Sequence, residues 1–329
     1  MEKIRGIIDK CLAENPCAAE YRFDEPMSAH TSFKVGGPAD CWVRPSGDDS
    51  YGFTAALIGA AQREDIPLFI LGGGANILIS DKGIRGICLD TGGWTGEYLN
   101  PQSPIAQSLP ETEIVFLSGT SLDEAAEAAA AKGLGGLEFL AGMPGSMGGA
   151  LWMNARAYER EIADVVTEAD ILDYSAAAVM RHTIKVDKTQ FDYKRSPFQN
   201  NRQLILSARF SLQERNKGEI RAKMEEHRSD RRNKGHYLFP SAGSAFKNNR
   251  GFGKPTGQII DELGLKGQSI GGAQIAPFHG NIIVNTGGAT AENIRALLEY
   301  TAAQVKEKTG FILEPEIILA GDWPHMRVL

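Results

Sequence analysis

The sequence contains little cysteine, and none of it is arranged as a metal-binding or redox motif. The four cysteines, Cys11, Cys17, Cys41 and Cys88, include no C-x-x-C pair. This excludes a zinc ribbon and a disulfide framework, and it is typical of a reducing compartment. The six histidines also lack the spacing of metal ligands, so we expect no metal.

Long apolar runs and an excess of positive charge are missing as well. No stretch approaches the about eighteen consecutive apolar residues of a membrane helix, and the charged N-terminus MEKIRGIIDKCLAENP lacks the apolar core of a signal peptide. The formal net charge of −6 argues against nucleic acid as the main partner. We therefore expect a cytoplasmic protein with neither a membrane nor a nucleic-acid partner, and favour a monomer.

Glycine, by contrast, is abundant, with 37 residues, and is concentrated in two loops. These are residues 70–81 (ILGGGANILISD) and 141–150 (AGMPGSMGGA). Neither is a G-x-G-x-x-G turn or a phosphate loop ending in Gly-Lys-Ser/Thr, and the first leads directly into an apolar run. Either loop alone could be a tight turn. Because glycine lets several backbone N–H groups converge on one anion, the pair favours a large diphosphate cofactor.

The candidate cofactor-binding residues lie in these loops and directly after them. They are Gly72, Gly73, Gly74, Ala75, Asn76, Ile77, Ser80, Pro144, Gly145, Ser146, Gly149, Ala150 and Asn154.

Secondary-structure patterns alternate along the chain and predict a mixed α/β or α+β protein. Its 329 residues exceed one ordinary core and indicate two or three domains. An amphipathic helix is predicted at the N-terminus. The other helices are predicted at residues 51–63, 122–132 (with Ser121 as N-cap and Gly133 at the end), 214–234 and 291–309. Strands are predicted within residues 31–43 and at 67–71, 84–89, 113–118, 164–174, 180–186, 203–212 and 311–319.

Six motifs occur in an order that resembles one enzyme family, the UDP-N-acetylenolpyruvoylglucosamine reductases (MurB) of bacterial cell-wall synthesis. They are HTSFKVGG (30–37), GGGANILISD (72–81), AGMPGSMGGALWMNA (141–155), PSAGSAFKN (240–248), GGAQIAPFHGNIIVN (271–285) and LEPE (313–316). The resemblance implies a vanillyl-alcohol-oxidase (PCMH)-type FAD-binding domain of two subdomains and a C-terminal α/β substrate domain. The expected divisions are an N-terminal helix and lead-in (1–30), the FAD domain (31–213), a solvated connecting helix (214–236), the substrate domain (237–310) and a terminal strand and tail (311–329) with the catalytic Glu.

The resemblance also implies the chemistry. FAD is the expected cofactor and NADPH the co-substrate. A hydride passes by way of the flavin to the enolpyruvyl ether of UDP-N-acetylglucosamine, giving UDP-N-acetylmuramate for peptidoglycan. The enolate that develops needs a stabilising charge and a proton. The family's proton donor matches Ser244, its carboxylate matches Glu316, and the short span from Ser196 to Ser244 matches the shorter form of the family, which lacks an extra tyrosine loop.

The position of the family's stabilising arginine departs from the pattern. Where the family has Y-R-x-S, this chain has Tyr193-Lys194-Arg195-Ser196, which puts Lys194 in the arginine's place. On a strand Arg195 would face the opposite side, so Lys194 is favoured. Arg156, where the family tends to have glycine, could also return the charge. The candidate substrate-binding residues are Lys247, Asn248, Gln274 and Arg156.

Two other functions remain open from the sequence. The first is a different FAD oxidoreductase on the same scaffold, because a scaffold alone does not determine the substrate. The second is a non-catalytic nucleotide-sugar-binding relative that kept the fold after losing the arginine.

Overall fold

Helices and strands alternate along the chain as the sequence predicts. The computed structural model describes residues 1–100 and 102–323, so residues 324–329 of the predicted terminal strand and tail lie outside the described residues. The helices are α1 (Glu2–Glu14), α2 (Ser50–Arg63), α3 (Leu122–Lys132), α4 (Met147–Met153), α5 (Lys217–Asn233), α6 (Thr256–Glu262) and α7 (Ala291–Thr309). The strands are β1 (Ala18–Pro26), β2 (Pro38–Ser46), β3 (Leu68–Leu71), β4 (Ile77–Ile79), β5 (Ile84–Asp90), β6 (Glu113–Leu117), β7 (Leu134–Gly135), β8 (Arg156–Ala157), β9 (Arg160–Glu161), β10 (Val166–Asp173), β11 (Met180–Lys185), β12 (Gln203–Ser211), β13 (Gln213–Glu214), β14 (Ser241–Ser244), β15 (Ser269–Ile270), β16 (Ala273–Ile275), β17 (Ile282–Asn285) and β18 (Ile318–Ala320). Within the described residues no helix combines the length and the apolarity that a membrane crossing needs.

The chain divides into two compact units, and neither is continuous in sequence. The first contains Met1–Phe23, Cys41–Gly73 and Gly86–Ser229, and the second contains Asp24–Asp40, Gly74–Arg85 and the described chain from Asp230 onward. The predicted divisions are continuous and differ in this respect. The segment after Gly73 joins the second unit because β4 pairs in parallel with β18. In addition, the Asp81 carboxylate accepts the N–H groups of Ala291 and Glu292 at 2.8 and 2.9 Å, at the start of α7.

The first unit is built around two four-stranded sheets, with strand orders β1-β2-β5-β3 and β11-β10-β12-β6. Strand β6 is apolar at four consecutive positions, without the alternation of a half-buried strand. Its residues Ile114 and Phe116 belong to a core with α3 and α4, whereas Val115 and Leu117 belong to a second core with α1 and α2. Because both faces of this strand are covered, nearly every side chain must be apolar.

Helices α3 and α5 can be compared with what the sequence predicts for them. Helix α3 agrees with the prediction: Ser121 and Glu124 form a capping box, and Gly133 ends the helix with φ 77°. Helix α5 was predicted as a solvated connection, yet it buries Ile220, Met224 and His227 on one side. The spacing of these residues, about one turn each, gives a charged helix one apolar stripe.

The second unit contains an antiparallel sheet in the order β14-β17-β16-β15. One face, including Ala273, Ile275 and Ile283, packs into the same core as the α7 residues Ile294 and Leu297. Because side chains alternate along strands, the opposite face of the sheet carries the intervening residues. On that face the strand register aligns Ser244 with Ile282, and both Ser241 and Gln274 with Val284.

Two predicted strands are wrong for local reasons. Of the two strands predicted within residues 31–43, the second forms from Pro38 onward, whereas the segment predicted as the first is a turn. Lys34 has φ 58°, and its N–H donates to the Thr31 carbonyl at 3.2 Å. In residues 311–319 only the end is strand, in β18. Pro315 has no N–H to donate to a ladder, and its segment forms a single bridge with Phe246.

Candidate active site

The two glycine loops meet in the first unit. The Gly73 N–H donates to the Ser146 hydroxyl at 3.0 Å. A Cβ added at Gly73 would lie 2.7 Å from the Gly145 carbonyl carbon, which is closer than real Cβ atoms approach a backbone. The loops therefore touch through their backbones. The sequence predicted two halves of one cradle, and the structure brings these residues together.

The second loop continues into helix α4, which the sequence analysis missed. Ser146 is its N-cap and accepts the Gly149 N–H at 3.4 Å. The signal was present as a serine before a short apolar run, but glycines at the second and third helical positions hid it. A Cβ at Gly149 would have only the Ser146 hydroxyl, 3.3 Å away, near it. Apart from that hydroxyl, the space beside this half-buried backbone fits the diphosphate of FAD, with Gly145, Ser146 and Gly149 as the residues that would hold it, while the Gly73 N–H is already donated to Ser146.

The rest of the first loop belongs to the second unit, where two predicted cofactor donors have other partners. The Asn76 amide donates to the Glu316 carbonyl at 3.1 Å. The Ser80 hydroxyl donates to the Asp322 carbonyl at 2.7 Å and is 2 % exposed. These side chains tie the loop to the C-terminal segment. The only hydroxyl proton of Ser80 is therefore donated within the chain.

Lys194 lies in a tight turn, so the strand geometry used above to compare it with Arg195 does not occur here. Asp192 and Arg195 exchange two backbone hydrogen bonds, of 3.2 and 3.0 Å, around Tyr193 and Lys194. Lys194 has φ 59°, which a strand does not allow. Alternation along a strand therefore cannot separate the two cations. The two cations differ in exposure, because Lys194 is half-buried and Arg195 is exposed.

Buried polar groups hold this turn in place. Asn154, which is fully buried and ends α4 with φ 46°, donates from its amide to the Asp192 carbonyl at 2.9 Å. The Ser196 hydroxyl donates to the Trp152 carbonyl at 2.7 Å. Asn154 was predicted to bind the cofactor; the structure gives its amide the task of positioning the Lys194 turn.

Arg156 lies beside the same turn. It is in the hairpin of β8 and β9, and its guanidinium carbon is 5.9 Å from the centre of the Tyr193 ring, a cation–π distance. The structure therefore keeps Arg156 as an alternative cation to Lys194, since both are half-buried and they flank one tyrosine.

Ser244 and Glu316 approach each other through their backbones in the second unit. A bulge between Ser241 and Ser244 shifts the register of β14, and Gly243 within it has φ 74°. Bulges redirect a side chain next to many active sites. The next residue, Ala245, accepts the Glu316 N–H on its carbonyl at 2.9 Å. Ser244 and Glu316 are both half-buried, so part of each residue stays accessible to a ligand.

The predicted substrate residues of this unit have different surroundings. Lys247 forms an ion pair with Glu314, whose side chain is 64 % exposed. The side-chain Oδ1 of Asn248 accepts a hydrogen bond from the Thr256 N–H at 2.9 Å. Gln274 lies on the sheet face of Ser244, and its amide donates to the Gly267 carbonyl at 3.1 Å. In the part of the chain that the structure describes, no group of His, Cys, Asp or Glu could hold a metal ion.

Comparison with known proteins gives the class. The FAD binding domain family model matches residues 50–180, so the first unit, its mixed fold and its pair of glycine loops define an FAD-dependent oxidoreductase of the PCMH type. The model described as UDP-N-acetylenolpyruvoylglucosamine reductase, C-terminal domain, matches residues 234–320. This chain belongs to the UDP-N-acetylenolpyruvoylglucosamine reductase (MurB) family.

The similarity extends over nearly the whole chain. The UDP-N-acetylenolpyruvoylglucosamine reductase of Treponema denticola is 41% identical over 310 residues, which cover 92% of this chain and 94% of that protein. That of Caldanaerobacter subterraneus is 40% identical over 316 residues, covering 96% and 98%. The crystal structure of the Thermus caldophilus MurB is 30% identical, with a TM-score of 0.70, and the match covers 94% of this chain and 100% of that one.

The cradle can be tested with Gly149→Val. We expect this variant to fold and to carry roughly tenfold less flavin per protein, because the side chain occupies the space beside the backbone where the diphosphate would lie. The measurement is the absorbance of released flavin against protein concentration. Gly73→Val is a less clean test, since its side chain would strike the other loop.

Gly6→Val is the matched control for this prediction. Gly6 lies in α1, and a Cβ there has nothing within 4 Å, so we expect normal flavin content. Normal flavin content in Gly149→Val would remove this residue from the cofactor site.

Proposed function

We propose that this enzyme uses NADPH to reduce the enolpyruvyl ether of UDP-N-acetylglucosamine to UDP-N-acetylmuramate, in the cytoplasmic steps of peptidoglycan synthesis. The observation that carries the proposal is the pairing of the Ser244 and Glu316 segments, through the hydrogen bond from the Glu316 N–H to the Ala245 carbonyl at 2.9 Å. A proton donor and a carboxylate on adjoining segments are what protonation of an enolate requires. Family membership supports the choice of substrate.

Bound FAD supplies hydride transfer from NADPH to the methylene carbon of the enolpyruvyl group. The Ser244 hydroxyl then gives its proton to the ether-bearing carbon. Serine is a weak acid in water, but transfer to a strongly basic carbanion is downhill. Water returns a proton to the serine oxygen before the next turnover. Glu316 holds the reacting groups in register, and its half-buried position supports this role.

Lys194 supplies the charge that stabilises the enolate. A lysine presents a point charge where the family's arginine presents a planar fork, so electrostatic stabilisation survives and bidentate recognition is lost. The turn supports a fixed charge, because Asn154 holds Asp192 and the Gln199 amide donates to the Lys194 carbonyl at 3.2 Å. Preorganised charge costs no reorganisation during the reaction. Arg156 is the alternative carrier of the same role.

The test is a two-step anaerobic experiment on purified enzyme. NADPH should bleach the flavin absorbance, and the UDP-sugar enolpyruvyl ether should restore it, with UDP-N-acetylmuramate identified by mass. Flavin that NADPH bleaches and this ether does not restore would favour another FAD oxidoreductase. Colourless protein that binds the nucleotide sugar would favour the non-catalytic relative.

A further inference from the structure

Asn281 forms a two-point clamp on the strand segment that follows Ser244. The Phe246 N–H donates to the Asn281 Oδ1 at 3.0 Å, and the Asn281 Nδ2 donates to the Phe246 carbonyl at 2.7 Å. The Asn281 carbonyl also accepts the Ala245 N–H at 2.8 Å. Asn281 itself is 2 % exposed. One buried residue thus satisfies three backbone groups of the two residues that follow the proposed proton donor.

The clamped segment is the one that joins the two proposed reacting residues. Ala245 follows Ser244 directly, and its carbonyl accepts the Glu316 N–H at 2.9 Å. Phe246, held by the Asn281 amide, forms the bridge with Pro315. A shift at Phe246 would therefore move both Ser244 and Glu316.

From this geometry, and resting on the proposed function, we propose that Asn281 is a positioning residue for proton transfer by Ser244. It acts through the backbone of residues 245 and 246 and touches no reacting atom. Proton transfer depends steeply on donor–acceptor geometry, and misplacement by about 1 Å can cost roughly a hundredfold. Asn281 acts after hydride has reached the flavin, so reduction by NADPH does not depend on it.

The two hydrogen bonds to Phe246 require a side-chain amide at the distance from the backbone that asparagine provides. The clamp needs a donor and an acceptor side by side, which asparagine offers in one plane. Aspartate has the same shape, but it would turn an oxygen towards the Phe246 carbonyl and bury a charge. Alanine would leave two buried backbone groups unpaired.

Asn281→Asp tests the proposal, with Asn285→Asp as the matched control. Asn285 is the last residue of β17, the strand that begins directly after Asn281, and it is 8 % exposed. Its amide donates to the Phe33 carbonyl at 3.0 Å and accepts the Gly287 N–H at 2.9 Å, so it makes bonds of the same kind away from Ser244. Each holoenzyme is assayed for flavin content, for reduction by NADPH, and for reoxidation by the UDP-sugar enolpyruvyl ether in H₂O and D₂O.

In Asn281→Asp we expect reoxidation to slow roughly a hundredfold, while reduction by NADPH stays within about twofold of wild type. The solvent isotope effect on reoxidation should rise, because a misplaced Ser244 makes proton transfer limiting. Asn285→Asp should keep the wild-type isotope effect. If Asn281→Asp is insoluble, Asn281→Ala carries the same expectation without a buried charge.

Equal slowing in Asn281→Asp and Asn285→Asp, or an unchanged isotope effect in the Asn281 variant, would reduce Asn281 to a structural residue and overturn the proposal. Failure of the proposed function is a separate outcome. It would appear in the wild-type enzyme as reduced flavin that the UDP-sugar ether does not reoxidise.

Discussion

Ser244→Ala should slow the reoxidation of reduced enzyme by substrate roughly a thousandfold, because this step loses its general acid. Reduction of the flavin by NADPH should remain nearly normal, since that half-reaction needs no proton from Ser244. Rapid mixing under anaerobic conditions measures each half-reaction from the flavin absorbance. A loss confined to one half-reaction identifies a group that acts in that step.

Ser241→Ala is the control for this prediction. Ser241 lies in the same strand β14 and on the same sheet face, before the bulge. The Ser241→Ala substitution also removes a serine hydroxyl but leaves the proposed donor Ser244 in place. We expect reoxidation within about threefold of wild type. If Ser244→Ala slows reduction and reoxidation equally, Ser244 has a binding or structural role.

Lys194→Ala should lower turnover by roughly a hundredfold, as the loss of one preorganised electrostatic donor does. Lys194→Gln is the sharper variant, because it keeps most of the side-chain length and removes only the charge. Lys194→Arg should retain much of the activity, since the family's site is built around arginine. All three place a non-glycine residue at the same φ of 59°, so backbone strain is matched. Steady-state kcat and kcat/KM are the measurements.

Arg195→Ala is expected to be mild, and the structure changes the reason for this. On a strand Arg195 would face away from Lys194, whereas in the observed turn Arg195 is exposed and Lys194 is half-buried. If Arg195→Ala instead lowered turnover strongly and Lys194→Ala left it nearly unchanged, Arg195 would be the stabilising cation.

Arg156 is the residue to test if substitution of neither Lys194 nor Arg195 lowers turnover. Because its guanidinium lies over the Tyr193 ring, it is the next cation available. A large loss in Arg156→Ala with normal Lys194→Gln would transfer the role to it. Comparing Lys194→Gln, Arg156→Ala and the double variant would reveal coupling, which neighbouring residues commonly have.

The sequence by itself determined the elements whose cause is local. Helix α3 could be bounded at both ends because its capping box and terminal glycine are written in neighbouring residues. Helix α7 could be predicted from the spacing of Ile294, Leu297 and Leu298, all of which are buried. The first glycine loop leads into a strand, as its apolar run predicts. The order of the motifs was enough to indicate the family and its FAD cofactor.

Only the tertiary structure decided which polar groups of those motifs are available for chemistry. Ser80 resembles a cofactor donor in the sequence, yet its proton is donated to Asp322. Lys194 resembles a strand residue, but Asn154 and Ser196 hold its segment in a turn. Asn281 lies inside a family motif, but nothing in the sequence indicates that it clamps the segment after Ser244. Each of these depends on a hydrogen bond between residues far apart in the chain, and local propensity contains no information about such a partner.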